Sequence, residues 1–466
     1  VTSDGKESIV AWLLNLVYTS AAFLAAPWLL YRRFVLKKHF GDWRQKLLGL
    51  LPVRKSSRSV IWLHAVSVGE VIQLGPVLDQ LAANLPQHDF YISTTTCTGY
   101  EVACKLYPTH RVCYFPLDFT WSVNQALRRV SPVAVILVEL ELWPNFIAAA
   151  ARRRIPVILI NGRVSPRSFR SYRWIRPVLQ CILPQLSKIA TQNQTYADRL
   201  LYLGARPEQV EVTGSIKFDR IEASRSNPKT VEIGRSFGIN PSEVVFIAGS
   251  TQPTEEAFAL QTYQQLRRDF PQLRLILVPR HKERFEEVAG LVQQAGLPLR
   301  RRSECVHQAA TASPQGTEPP VLLLDTLGEL AACWGLAEVA FVGGSLTRRG
   351  GQNMIEPAGY GASVLFGPHT HNFKDIVAML LDANAAAVVR TPEELTSTVR
   401  RLLTDTQSAG EMGHRARQLV LNQHGATKRT VELILETLWY PVGESLRDSQ
   451  PTSASQVAVA LGQGKC

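Results

Sequence analysis

The stretch VIWLHAVSVGEVIQLGPVLDQLAANLPQHDFYISTTT, residues 60–96, decides the fold. Its ends, VIWLHAVS (60–67) and FYISTTT (90–96), are short apolar runs closed by polar residues, and the segment between them is helical in pattern. Such runs read as strands buried on both faces, and strand–helix–strand is one crossover of a parallel sheet. The alternation continues with VAVILVEL (133–140) and PVILING (156–162). It restarts with VVFIAGS (244–250), LRLILVPR (273–280), PVLLLDT (320–326), VAFVGGS (339–345) and SVLFGP (363–368). The fold class is therefore α/β, with two Rossmann-like domains facing a central cleft.

A chain of 466 residues is long enough for two such cores. The expected layout is a membrane anchor with a basic flank (1–40), a first domain (41–217), a polar linker (218–240), a second domain (241–425), a helix crossing back (426–442) and a disordered tail (443–466). Between Ser303 and Pro320 the periodicity lapses, as in a surface insertion. From Ile9 to Tyr31 no residue is charged, and about 20 apolar residues suffice to cross a bilayer. Arg32, Arg33, Lys37 and Lys38 follow at once, which places the bulk of the chain on the cytoplasmic side of the membrane. Asn15 and Pro27 weaken the span, so a helix lying on the membrane is the alternative.

Lys and Arg outnumber Asp and Glu by 51 to 39, a formal charge of +12, which favours anionic partners such as phosphorylated substrates and membrane lipids. No zinc-finger spacing and no aromatic–basic signature accompanies it, so nucleic acid is not expected as a partner. Seven cysteines without a Cys-x-x-Cys argue against a disulfide framework.

The polar residues that end the strands carry the chemistry. In WLHAVSVGE, Ser67 and Gly69 form a turn with amides suited to a phosphate or carboxylate, and Glu70 opens the next helix. The plain alternative is a first-turn acid that favours the helix dipole. In ELELWPN, strand alternation would put Glu139 and Glu141 on one side, where they are costly unless solvated, paired or functional, with Arg163 as a possible ion partner. Lys217 in SIKFD suits a phosphate or carboxylate. In the second half, Ser250, Thr251, Gly344 and Ser345 allow close backbone approach to a nucleotide. Arg280 offers a fork for phosphate, and Glu356 suits ribose hydroxyls. No cluster has metal-ligand spacing and no Asp-x-Asp loop is present, so the site is expected to need neither metal nor other cofactor.

Together, WLHAVSVGE, ELELWPN, NGRVSPRS (161–168), SIKFD, GST followed by Glu255-Glu256, PRHKER (279–284), DTLGEL, and GGSL followed by GGQNMIEPAGYGASVLFGPHTHNF (350–373) resemble the 3-deoxy-D-manno-octulosonic acid (Kdo) transferases of lipopolysaccharide synthesis. The resemblance implies a GT-B fold and inverting transfer of Kdo from CMP-Kdo to a phosphorylated lipid A precursor. It also implies Glu70 as general base, with Glu139 and Lys217 supporting the transition state. Pro279, Arg280, Leu327, Gly328, Glu329, Asn353, Met354, Ile355 and Glu356 match its CMP-binding segments. Ser67, Gly69, Glu141 and Arg163 stand as candidate acceptor contacts. The chain departs from the family pattern at Ser215 (usually Asn), Gln352 (usually His), Gly162 (usually Ala) and Thr254 (usually Gly). A GT-B transferase using a UDP-sugar, and a catalytically silent nucleotide-sugar-binding protein on the membrane, are the alternatives.

Overall fold

A computed structural model describes residues 3–34, 41–53, 56–305 and 318–439. The chain divides into two compact units, one running to Gly214 and resuming at Thr427, the other spanning Ser215–Ala426.

The first unit is built on β1 (Ser59–His64), β2 (His88–Thr94), β3 (Arg111–Tyr114), β4 (Pro132–Val138), β5 (Val157–Gly162), β6 (Lys188–Thr191) and β7 (Val210–Val212). They form a parallel sheet in the order β3-β2-β1-β4-β5-β6-β7. The strand order reverses direction between β1 and β4, so the crevice beyond their carboxyl ends is where a ligand binds in sheets of this kind. Val60, Trp62, Val135, Leu137 and Phe146 lie in one buried cluster. Each large side chain so removed from water contributes about 1.5–3 kcal/mol.

The second unit repeats the plan with β8 (Val244–Thr251), β9 (Leu273–Pro279), β10 (Leu299–Arg301), β11 (Val321–Leu323), β12 (Val339–Val342), β13 (Ser363–Phe366) and β14 (Ala386–Val388). Their order is β10-β11-β9-β8-β12-β13-β14, again parallel, with the reversal between β8 and β12. Along β8, Val245 and Ile247 face one core and Phe246 and Ala248 the other. Burial on both faces is why this strand reads as an unbroken apolar run.

Two expectations are corrected. Residues 228–237 are not linker: Asn227 caps a helix, Pro228–Phe237, whose Ile233 and Phe237 are buried in the second unit. Of the segment from Ser303 to Pro320 read as a surface insertion, Ser303 and Glu304 are exposed at the end of a short helix, Arg302–Cys305, and residues 306–317 lie outside the described residues. The segment read as a membrane anchor does form a helix, Ser3–Phe34, but among the described residues no helix is long and apolar enough to cross a membrane. Asn15, which interrupts its apolar run, bonds Thr120 of the first unit, and Tyr18 bonds Asp118. The tail at 443–466 lies outside the described residues. The last described helix, Ala426–Trp439, is tied to the first unit by Arg429 and Thr430, both bonded to Thr213.

Candidate active site

In the first unit the candidate residues gather beyond β1 and β4, at the reversal point. Ser67 caps the helix Val68–Asn84, its Oγ accepting from the Glu70 amide. The Glu70 carboxylate folds back: Oε1 accepts from Ser67 Oγ at 2.7 Å and Oε2 from the Val66 amide at 2.8 Å. This is a capping arrangement, and it fixes the carboxylate without using its remaining lone pairs. Glu70 is only 9% exposed. Burial pushes its carboxyl above the ordinary range and the Glu139 carboxylate adds to this, against the bonds from Ser67 and Val66.

The ELELWPN segment is not strand at its acidic positions. β4 ends at Val138, and Glu139 has φ +62°, the left-handed region. A residue with a side chain held there costs about 1–2 kcal/mol, and its position at the site suggests a functional constraint. The turn, rather than strand alternation, brings the acids together. Burial and the charges of Glu70 and Glu139 push Glu141 up to about 7, against a bond from Trp143. Glu141 in turn helps burial raise the Tyr172 hydroxyl. Three carboxylates thus converge where sheets of this topology bind ligands.

Glu70 and Glu141 therefore hold a proton more tightly than ordinary carboxylates do. If Glu70 is the group that takes a proton from a substrate, the rate is expected to fall on acidification at a higher pH than the ordinary Glu value of about 4.3 would give. A pH–rate profile flat down to pH 5 would contradict this.

Asp118 was missed from sequence, although it stands just before a helical segment, where Asp is a common cap. It is buried and accepts from the amides of Asn145 (3.0 Å) and Phe146 (2.8 Å), at the amino end of the helix that follows the acidic turn. Burial pushes it up to about 7 against those bonds. Gly69 is exposed, and Arg163 is half-buried just after β5.

In the second unit the motifs again meet at the reversal point. Ser250 (φ +54°) and Thr251 end β8, and Gly343-Gly344-Ser345 follow β12. Glu255 joins them. Fully buried, it accepts from the amides of Gly344 (2.7 Å), Ser345 (3.1 Å), Leu346 (2.9 Å) and Gln252 (2.8 Å). Burial raises its carboxyl, and the four amides oppose that. A Cβ on Gly343 would lie 2.7 Å from this carboxylate, so glycine is required there. The pair of acids at 255–256 was visible in the sequence, but not this role.

Arg280 follows β9, its amide bonded to the Thr251 carbonyl at 3.1 Å. Glu356 is raised by burial, while Asn353, Trp334 and the charge of Arg280 pull it back. Asn353 Nδ2 donates to Glu356 Oε1 at 2.9 Å, and its Oδ1 accepts from the Ile355 amide. Met354 is buried, and Ile355 opens the short helix Ile355–Gly359. Pro279 ends β9 within the core. Leu327 is 70% exposed and Gly328 has φ +85°. Glu329 is engaged by Arg302 at 2.8 Å and by Thr326, and these bonds hold it below the ordinary range despite burial. Lys217 falls in the second unit, three residues past Gly214. Among the described residues no group of three or more His, Cys, Asp and Glu could hold a metal ion.

Thr254 occupies φ +79°, ψ −29°, a conformation unfavourable to a β-branched side chain. Thr254→Gly is expected to stabilise the protein by about 1 kcal/mol, the relief of strain exceeding the entropic cost of glycine. That corresponds to a melting-temperature rise of about 2–4 °C. An unchanged or lower temperature would contradict the strain.

Residues 39–220 match the family model described as 3-deoxy-D-manno-octulosonic-acid transferase (kdotransferase). The 3-deoxy-D-manno-octulosonic acid transferase of Haemophilus influenzae is 34% identical over 376 residues, 80% of this chain and 86% of that protein. Its counterpart in Bordetella pertussis is 33% identical over 390 residues, 81% of this chain and 87% of that protein. Among solved structures, the UDP-GlcNAc 2-epimerase of Neisseria meningitidis superposes with a TM-score of 0.55 at 15% identity, over 82% of this chain and 99% of its own, a likeness of fold alone.

Proposed function

Because the chain belongs to the Kdo transferase family, we propose that it moves Kdo from CMP-Kdo to a phosphorylated lipid A precursor, with Glu70 as the base. The buried, charge-raised Glu70 carboxylate at the reversal point carries this reading. An acceptor sugar hydroxyl attacks the anomeric carbon of Kdo, and its proton passes to Glu70. The bond from that carbon to the phosphate oxygen breaks, and CMP leaves with the electron pair. One displacement inverts the anomeric centre. Glu139 and Lys217 support the transition state, and oriented amides stabilise the charge growing on the leaving phosphate.

The second unit supplies the donor site: Ser250, Thr251, Gly344 and Ser345 approach the nucleotide, Arg280 binds phosphate, and Glu356, held by Asn353, accepts from ribose. Pro279, Leu327, Gly328, Glu329, Met354 and Ile355 complete its wall. Ser67, Gly69, Glu141 and Arg163 contact the acceptor. CMP is expected to raise the melting temperature more than UDP does; at 100 times Kd a ligand adds about 2.7 kcal/mol. A larger shift with UDP would favour the UDP-sugar reading.

We also propose that the protein works at the cytoplasmic face of the inner membrane. The helix Ser3–Phe34 exposes Trp12, Phe23, Leu24 and Trp28, which suits a helix lying in the headgroup layer. From Leu142 to Ala197 there are nine basic residues and no acidic one. Exposed Arg167, Arg170 and Arg173 adjoin Trp174, which is 86% exposed. Near an anionic surface each such charge adds about 1 kcal/mol of binding.

A further inference from the structure

Resting on the transferase reading above, we propose that the helix Ser3–Phe34 is a working part of the acceptor site: Asn15 and Tyr18 complete the caps of two helices beside the Glu139–Glu141 turn. Membrane attachment alone would require nothing of these two polar residues.

Both helices lack a cap of their own. The N-cap residue of Thr120–Val130 is Phe119, and that of Pro144–Arg152 is Trp143; neither side chain bonds the helix end. Other residues supply what is missing. Asn15 Oδ1 accepts from the Thr120 amide at 3.2 Å, and Asn15 Nδ2 donates to Thr120 Oγ1 at 2.9 Å. Asp118 caps the second helix through the amides of Asn145 and Phe146. Tyr18 donates its hydroxyl to Asp118 Oδ2 at 3.2 Å, and its ring meets Phe119 edge-on at 6.0 Å. Asn145 closes the circuit, donating Nδ2 to the Asp118 carbonyl (2.5 Å) and to Asn15 Oδ1 (3.5 Å).

The consequence reaches the chemistry through a short path. Only Leu142 and Trp143 separate Glu141 from the helix Pro144–Arg152. The amino end of that helix fixes where the acidic turn leaves β4, and the turn sets Glu139 and Glu141 near Glu70. Asn15, Tyr18 and Asp118 are therefore positioning residues, acting through the turn rather than on the substrate. The helix Ser3–Phe34 would also carry its exposed apolar side chains toward lipid, so seating on a membrane and ordering of the acceptor site become linked.

The test uses the whole protein with acceptor dispersed in detergent, where membrane attachment no longer limits the rate. The double variant Asn15→Ala/Tyr18→Phe is expected to lower kcat about tenfold, the effect of roughly one lost cap, with the KM for CMP-Kdo unchanged. Amide hydrogen exchange at Asn145, Phe146 and the 139–143 turn should quicken in the same variant. Tyr18→Phe alone, losing one hydrogen bond, should fall about threefold and keeps the test readable should the double variant misfold. Trp12→Ser/Phe23→Ser should keep the detergent rate and lose binding to anionic vesicles. A double variant with wild-type kcat and wild-type exchange would overturn the proposal. If the wild-type protein transfers no Kdo, the transferase reading fails, while the exchange measurement still decides whether the helix orders the turn.

Discussion

Glu70→Gln is expected to cut the transfer rate about 10³-fold while leaving the fold and CMP binding intact. Glutamine keeps the shape and one carbonyl oxygen, so the Val66 amide retains an acceptor. Ser67 Oγ can turn to accept from the new amide, so the cap at the head of Val68–Asn84 survives. What disappears is the proton acceptor. The substitution also removes a charge that repels Glu139 and Glu141, so stability at neutral pH should be equal or higher. Greater stability with lost activity marks a residue kept for chemistry. A variant that is both active and more stable would return Glu70 to the role of a helix cap. That outcome would favour a base elsewhere, or a nucleotide-sugar-binding protein without turnover.

Glu255→Ala should have the largest effect on stability, a loss of about 3–5 kcal/mol measured by denaturant unfolding, because several buried amides are left without an acceptor at about 1–3 kcal/mol each. Four amides from two segments converge on this carboxylate, and among the described residues no other side chain bonds them. Without it the Gly344–Leu346 backbone loses the anchor that fixes its path beyond β12, and CMP affinity should fall at least tenfold. Glu255→Gln is the sharper variant. One oxygen becomes an amide donor facing amide donors, so about 2 kcal/mol should be lost with little change of shape. An unchanged unfolding midpoint in both variants would show that the loop is held by other means.

The sheets were legible in the sequence because parallel strands buried on both faces leave unbroken apolar runs. Short edge strands such as Arg111–Tyr114 and Ala386–Val388 were not: three or four residues carry too little pattern, and half of the first and all of the second are only half-buried. Glu139 shows where periodicity misleads. Two acids separated by one leucine imitate strand alternation, whereas the chain leaves the strand at Val138 through a left-handed residue. Nothing local marks that turn; it is set by the sheet and by the capped helix after it. Asn15 was visible only as a defect in an apolar segment, and Tyr18 was not visible at all. Their meaning depends on Asp118 and Thr120, a hundred residues away, and separation of that kind leaves no local trace. The placement of Glu70 and the glycine-rich loops was legible because each lies within a few residues of the strand end that presents it.

The central claim is most directly tested by incubating the protein with CMP-Kdo and a phosphorylated lipid A precursor, then weighing the lipid by mass spectrometry. The account predicts lipid heavier by one or more Kdo residues, with an equal number of CMP molecules released, and neither product with Glu70→Gln. Lipid of unchanged mass beside intact CMP-Kdo, or sugar transferred from a UDP-sugar instead, would contradict it.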